Sequence, residues 1–256
     1  MGLEGRVALV TGGGRGIGRG ISLGLAKDGA TVAVNYRRDE AAALQTVAEI
    51  EAMGGRARAY YASVDNWDED EAMVNRVVAD FGHIDILVNN AGIASRGNSV
   101  FDTDPAEMER VVRIHGFGTF YMSKLVLPSM RTRPRGDIIM VSSMATESMA
   151  ARGGPYNMGK AMMEAAAMTL YKEERANGIR VNIVRPGLVE SDMGVRLARA
   201  TRGTADLREL DANSPFGHVC QPEDVANVVR WLVSDQNSYV TGEAIRVDGG
   251  GNLFSY

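Results

Sequence analysis

Short apolar runs alternate along the chain with longer stretches in which apolar residues recur every third or fourth position. The runs are RVALVTG at 6–12, ATVAVNY at 30–36, IDILVNNAG at 84–92, DIIMVSS at 137–143, IRVNIVRPG at 179–187 and EAIRVDGG at 243–250. Strands that are apolar on both faces belong in a parallel sheet covered by helices. Between the runs, Val74, Val77, Val78 and Phe81 stand at i, i+3, i+4 and i+7, the spacing of one buried helix face. Val225, Val228, Val229 and Leu232 repeat that spacing, and Pro222-Glu223-Asp224 in front of them is a helix start signal. This alternation predicts an α/β fold, a single domain over residues 1–256 with a doubly wound parallel sheet and helices on both faces. The stretch 188–221 breaks the pattern. Long, mixed insertions of this kind tend to carry function, and this one is expected to form a lid over a ligand.

Composition narrows the picture. A net charge of −4 gives no reason to expect nucleic acid or an anionic membrane as partner. One cysteine, Cys220, excludes an internal disulfide and a multi-cysteine zinc site, and the three histidines are scattered, so no metal centre is expected. A lone cysteine also points to a reducing compartment. The N-terminus has no secretory pattern, and Arg6 stands where myristoylation needs Ser or Thr. No apolar run approaches the ~20 residues that span a bilayer. The expectation is a cytoplasmic protein with no membrane partner.

Candidate chemistry begins at TGGGRGIG, residues 11–18, directly after the first apolar run. Glycines let the backbone turn sharply and approach a pyrophosphate. The helix that follows offers free N–H groups and a favourable dipole. Gly12, Arg15, Gly16, Ile17 and Gly18 are therefore candidate cofactor contacts. At the end of the second run a carboxylate would bind a ribose 2′-hydroxyl and repel a 2′-phosphate. Tyr36 stands there instead, followed by Arg37 and Arg38. Guanidinium matches phosphate geometry, so Arg37 and Arg15 favour NADP(H), with NAD(H) the alternative. Arg38 is equally well explained as a solvated side chain.

At the other end, Tyr156 and Lys160 are four apart in PYNMGK and would share a helix face. A free phenol titrates near pH 10, and a neighbouring ammonium favours its ionised form. The pair is a candidate acid/base unit. Ser143 closes the run at 137–143, at the end of the sheet where ligands bind, and its hydroxyl is placed to hold a carbonyl oxygen. Ser142 is read as a strand-end cap.

Taken together, TGGGRGIG, NNAG at 89–92, Ser143, YNMGK at 156–160, Pro186-Gly187 and VTGEAIRVDGG at 240–250 resemble the short-chain dehydrogenase/reductase family over essentially the whole chain. The resemblance implies a Rossmann-type domain and a hydride transfer between a nicotinamide and a carbonyl or alcohol. It assigns Tyr156 as acid/base, Lys160 to the phenol and the nicotinamide ribose, and Ser143 to the substrate. Asn90, with Ala91 and Gly92, lies along the adenosine side. Pro186, Gly187 and Val189 lie by the nicotinamide. Ser191 stands where the family often has a threonine on the carboxamide. Ser63, beside Val64, stands where the family often has an aspartate near the adenine, which puts the adenine contact at Ser63 in doubt.

Among family members, 3-oxoacyl-(acyl-carrier-protein) reductases fit best. Steroid, sugar-alcohol and xenobiotic ketone dehydrogenases carry the same motifs. Ile93, Ala94, Met144, Met149, Leu188 and Met193 imply a hydrophobic small-molecule carbonyl or alcohol. Arg196, Arg199, Arg202 and Arg208 in the insertion read as a solvated face, or as contacts for an anionic substrate arm. The helix AMMEAAAM, 161–168, is rich in small residues, and by resemblance packs against its mate in a homotetramer, with a dimer as alternative. A zinc alcohol dehydrogenase lacks its ligands here, and the chain is short for a sugar-nucleotide epimerase. A weakly active nucleotide sensor on this fold would keep the glycine loop without needing Ser143, Tyr156 and Lys160.

His115 is the departure. The family commonly has an asparagine at this position, in a pattern carried here by His115, Gly118 and Phe120, and that asparagine serves a proton relay. His115 is expected to replace it as the relay's polar member. A free histidine titrates near pH 6.5, so an added pH dependence is expected too.

Overall fold

A computed structural model of the chain describes residues 2–251. Seven strands form one sheet in the order β3-β2-β1-β4-β5-β6-β7, every neighbouring pair parallel. The strands are β1 Val7–Val10, β2 Thr31–Tyr36, β3 Ala57–Tyr61, β4 Ile86–Asn89, β5 Gly136–Val141, β6 Ile179–Pro186 and β7 Ala244–Val247. The helices are α1 Gly16–Lys27, α2 Glu40–Ala52, α3 Trp67–Phe81, α4 Pro105–Val112, α5 Gly118–Met130, α6 Ala145–Ser148, α7 Gly154–Glu174, α8 Asp192–Arg202 and α9 Pro222–Val233. A π turn, Arg113–Phe117, joins α4 to α5.

The two-residue period of a strand divides the core. Ala8 and Val10 face a layer with Ile21 and Leu25 of α1 and Val225 and Val229 of α9. Val7 and Leu9 face the opposite layer, with Met73 and Val77 of α3, Met122 of α5 and Met163 of α7. Burying one such aliphatic side chain contributes about 1.5–3 kcal/mol, so both faces of the central strands hold the sheet between its helices.

β3 is absent from the six apolar runs. It is an edge strand whose Ala57 and Tyr60 are buried while Arg58 and Tyr61 are exposed. Its exposed residues lie on both faces, Arg58 on one and Tyr61 on the other, so the segment is not apolar throughout and does not read as a buried strand. The runs at 84–92 and 243–250 also extend past their strands. Their last residues, including Asn90 to Gly92, leave the sheet as loops.

The chain moves outward from β1 through β2 and β3, then returns to the other side of β1 as β4. The crevice at such a reversal, beyond the carboxyl ends of the strands, is where open α/β sheets bind ligands. The excursion at 188–221 contains α8 and the 3-10 turns Leu207–Asn213 and Pro215–Gly217. It is closed at its base by a parallel bridge between Val189 and Cys220. No helix among the described residues is long and apolar enough to cross a membrane, and none of their His, Cys, Asp and Glu side chains group as a metal site.

Candidate active site

The glycine loop sits at the reversal point. Gly12 and Gly16 hold φ of +61° and +51°, which side-chain-bearing residues rarely adopt. A Cβ on Gly18 would lie 2.2 Å from the Gly12 carbonyl oxygen. The loop and the start of α1 thus form a cradle that only glycine leaves open. No acidic residue occupies the first turn of α1. An anion is favoured at such a helix start, so the residues fit a dinucleotide pyrophosphate.

Two residues outside the expected set hold this cradle. Asn35, buried in β2, accepts from the Gly12 N–H at 3.1 Å and donates to the Ala62 carbonyl at 3.1 Å. Thr11 Oγ1 accepts from the N–H groups of Asn90 and Ala91 at 2.9 and 3.0 Å. Asn90 in turn donates its amide to the Thr11 carbonyl at 2.9 Å. Its amide nitrogen therefore shapes the loop from within. A polar Asn inside the apolar run ATVAVNY is the signal that marks position 35.

Beyond β2, Tyr36 donates to Glu40 at 2.6 Å, and that bond holds the phenol above its usual range. Arg37 and Arg38 are exposed. Arg37 lines a cleft of about 560 Å³ together with Tyr61, Ser63, Asp65, Arg113 and Tyr121. Ser63 donates its hydroxyl to Asp65, and its N–H goes to Glu69 at 2.8 Å. Val64 is buried beneath this cleft, against Gly118. Arg15 reaches instead toward Asp192 at the start of α8, 3.5 Å away.

The reacting groups gather at the carboxyl end of β5. Burial raises the Tyr156 phenol above its ordinary value, and a hydrogen bond from Ser143 pulls the other way. Lys160 is buried and donates to the Val141 carbonyl at 2.6 Å. Burial lowers its ammonium to about 7, against the charge of Glu164, which raises it. Its Nζ lies 5.8 Å from the Tyr156 ring centre. Lys160 thus stands beside the phenol in a buried setting, where burial favours the neutral form of each group.

His115 stands edge-on to Tyr156, with ring centres 5.1 Å apart. It is fully buried in the π turn, and its Nε2 lies 2.8 Å from the Ile93 carbonyl. A Cβ on Gly92 would fall 2.5 Å from the imidazole Cε1, so glycine at 92 makes room for this ring. Burial first, and the Lys160 charge second, lower its pKa to about 3. Burial thus favours the neutral imidazole over the titration expected near pH 6.5.

On the far side, the Pro186 carbonyl accepts from Met144 N–H at 3.0 Å, and Gly187 N–H donates to Val247 at 3.0 Å. Val189 is buried at the base of the excursion. Ser191 is the N-cap of α8, accepting from Gly194 N–H at 3.1 Å, and its Cβ faces Gly16 of the glycine loop. A largely apolar cavity of about 790 Å³ opens beside Gly187, walled by Leu188, Leu210, Pro215, Phe216 and Val219. Met144 is core packing, whereas Met149 is half exposed. Ser142, expected as a cap, donates its hydroxyl to Glu164 at 2.6 Å.

The chain matches the family model described as Enoyl-(Acyl carrier protein) reductase over residues 12–252. It is 36% identical over 255 residues to the 3-oxoacyl-[acyl-carrier-protein] reductase FabG of Thermotoga maritima, covering 98% of this chain and 99% of that one. It is 35% identical to the 3alpha-hydroxysteroid dehydrogenase of Mediterraneibacter gnavus, covering 97% and 98%. A 7 alpha-hydroxysteroid dehydrogenase solved with NADH and 7-oxo glycochenodeoxycholic acid superposes with a TM-score of 0.89 at 31% identity, covering 98% of this chain and 96% of the other. With the glycine cradle at the sheet's reversal point and Ser143, Tyr156 and Lys160 gathered beside it, these likenesses show that the chain belongs to the short-chain dehydrogenase/reductase family.

Proposed function

We propose that the protein is an NADP(H)-preferring ketoreductase of the 3-oxoacyl-thioester reductase type. One observation carries the reading: Ser143, Tyr156 and a buried Lys160 meet at the end of β5, next to the glycine cradle. When bound, the nicotinamide exchanges a hydride with the carbonyl carbon. Gly12, Arg15, Gly16, Ile17 and Gly18 would hold its phosphates. Asn90, Ala91, Gly92, Pro186, Gly187, Val189 and Ser191 would line the rest of the cofactor's length. Ser143 orients the substrate oxygen by a hydrogen bond. Tyr156 gives its proton to that oxygen as negative charge develops there, Lys160 steadies the phenolate and would hold the nicotinamide ribose, and the phenol regains its proton from solvent before the next turnover. Oxidation of the alcohol runs the same steps in reverse. His115 stays neutral and serves the site by holding the Ile93 carbonyl.

Arg37 at the rim of the cleft past β2 supports the NADP(H) preference, since Tyr36 supplies no carboxylate to repel a 2′-phosphate. In the same cleft Ser63, backed by the buried Val64, would meet the adenine. The apolar cavity beside Gly187 supports a hydrophobic carbonyl substrate, with residues 188–221 as its lid. The same cavity favours a second reading, a hydroxysteroid-type dehydrogenase. The lone half-buried Cys220 favours a cytoplasmic enzyme, and we propose a homotetramer.

NADPH and NADH consumption against a panel of 3-oxoacyl thioesters and oxo-steroids tests the reading, with Tyr156→Phe as its control. A positioned acid is worth about 10²–10⁴ in rate, so the variant should lose at least that while still binding NADPH. A Tyr156→Phe enzyme that reduces ketones at the wild-type rate would overturn the assignment.

A further inference from the structure

Glu164 lies one turn beyond Lys160 and two beyond Tyr156 on α7, so all three side chains leave the helix on the same side. It touches neither reacting group, yet its carboxylate is only 12% exposed and takes four hydrogen bonds. Ser142 Oγ donates at 2.6 Å, Thr146 Oγ1 at 2.8 Å and Arg185 Nε at 2.9 Å, all to Oε1. Arg185 Nη2 donates to Oε2 at 2.6 Å.

These donors come from the two segments that must keep register with α7. Ser142 precedes Ser143 by one residue, and Thr146 follows it by three. Arg185 precedes Pro186-Gly187 at the end of β6. Apart from the Ser143–Tyr156 hydrogen bond whose spacing is at issue, and the Lys160 bond to Val141 just before the loop, the loop's bonds stay short of α7: Thr146 also reaches the Ser143 carbonyl, Ala145 N–H the Ser143 hydroxyl, and Met144 N–H the Pro186 carbonyl. Thr146 has a single hydroxyl proton, and an ionised carboxylate is the stronger acceptor. Burial alone would raise the Glu164 pKa, but bonds from Arg185, Ser142 and Thr146 outweigh it and hold the group below the usual carboxylate range. Arg185 Nη1 also pairs with Glu147 at 2.7 Å, and Glu147 takes Arg246 of β7.

The plain alternative is a stabilising ion pair. That explains little, because a buried pair returns in attraction about what it loses in hydration. An apolar contact would join α7 to β6 as well, but it would not carry Ser142 and Thr146.

We propose that Glu164 is a positioning residue, which sets the spacing between the Ser143 hydroxyl and the Tyr156 phenol by clamping residues 142–146 and Arg185 to α7. This rests on the reading of Ser143 and Tyr156 as the reacting pair. Misplacing reacting groups by about 1 Å can cost roughly 10²-fold in rate. Glu164→Ala is therefore expected to lower kcat by about that factor, with the Kd for NADPH within about threefold of wild type. Its isotope effect on kcat with C4-deuterated NADPH should rise as hydride transfer becomes limiting. Glu164→Gln keeps an acceptor for Ser142 and Thr146 and should recover part of the loss. Where Glu164→Ala does not fold, Ser142→Ala/Thr146→Val removes the loop's donors, leaves the Glu164–Arg185 pair intact, and should show the same loss.

Wild-type kcat in the Glu164 variants and in the Ser142/Thr146 double variant, beside an inactive Tyr156→Phe, overturns the positioning role alone. So does a Gln variant no better than Ala whose kcat loss follows its loss of melting temperature. An active Tyr156→Phe overturns the reading of the site, and this inference with it.

Discussion

A neutral imidazole at position 115 donates one hydrogen bond and needs no second proton. Nε2 lies 2.8 Å from the Ile93 carbonyl and 3.3 Å from the Ile93 N–H. One nitrogen cannot donate to the first and accept from the second, and the shorter contact fixes Nε2 as the protonated one. Nδ1 is buried without a partner, so a second proton there would place a charge in an apolar site. An asparagine amide can donate the same bond. His115→Asn should then give a kcat pH profile that superimposes on wild type between pH 5 and 8, and an acid limb that moves would contradict the neutral assignment. Position 37 is a different case, since its side chain is exposed. A charged hydrogen bond to phosphate is worth about 1.5–3 kcal/mol, so Arg37→Ala should raise KM for NADPH roughly tenfold to a hundredfold and leave NADH unchanged. Equal losses for both cofactors would remove Arg37 from the 2′-phosphate. Tyr156, Lys160 and Ser143 could be singled out in the sequence because together with the glycine loop they match a family's motifs, and the structure brings them together at the end of β5. Asn35 stands out only as a polar residue in an apolar run, and Glu164 not at all, because their partners lie on distant segments and some are backbone atoms.

At the scale of the element, α3 carries a conflict its hydrophobic spacing conceals. Its buried stripe is Asp70, Met73, Val74 and Val77. The pattern read from Val74 onward was right, but it gave no warning that the turn before it ends in a carboxyl. Asp70 is fully buried, and neither carboxyl oxygen has a partner. Burial raises its pKa to about 8, with the charges of Asp65 and Glu69 adding to the rise. The folded value lies above the unfolded one, near 3.9. The stability this group contributes is therefore fully present below pH 4 and is lost as pH rises through about 8. An unsatisfied buried group costs about 1–3 kcal/mol, so Asp70→Val should stabilise the fold by roughly that amount at pH 8 and above. The gain should shrink toward pH 4. Urea unfolding of both proteins across that range measures it, and a gain independent of pH would show that the carboxyl is not the cause.

For the whole molecule, six of the seven strands and the doubly wound class followed from alternation, because strands buried on both faces have no polar positions to hide them. What alternation does not encode is the outer surface. Phe117 and Phe120 are 41% and 53% exposed at the start of α5. They stand three residues apart, on one face. Arg113 covers only part of Phe117, with its guanidinium 5.7 Å from the ring. On α7, which packs against the π turn through Gly159 and His115, Met158 is 56% exposed and Ala165 faces outward in the small-residue stretch. Large aromatic groups left in water on neighbouring helices favour association, and closed symmetry would repeat the same patch on each subunit. The proposed homotetramer buries this face, so light scattering after size exclusion should give about four times the chain mass of 27.5 kDa. Phe120→Asp places a charge on every copy of the contact at once. It should lower the assembly state while circular dichroism keeps the wild-type helix content. A wild-type protein that elutes as a monomer, or a Phe120→Asp variant that remains tetrameric, would show that this face does not hold the subunits together.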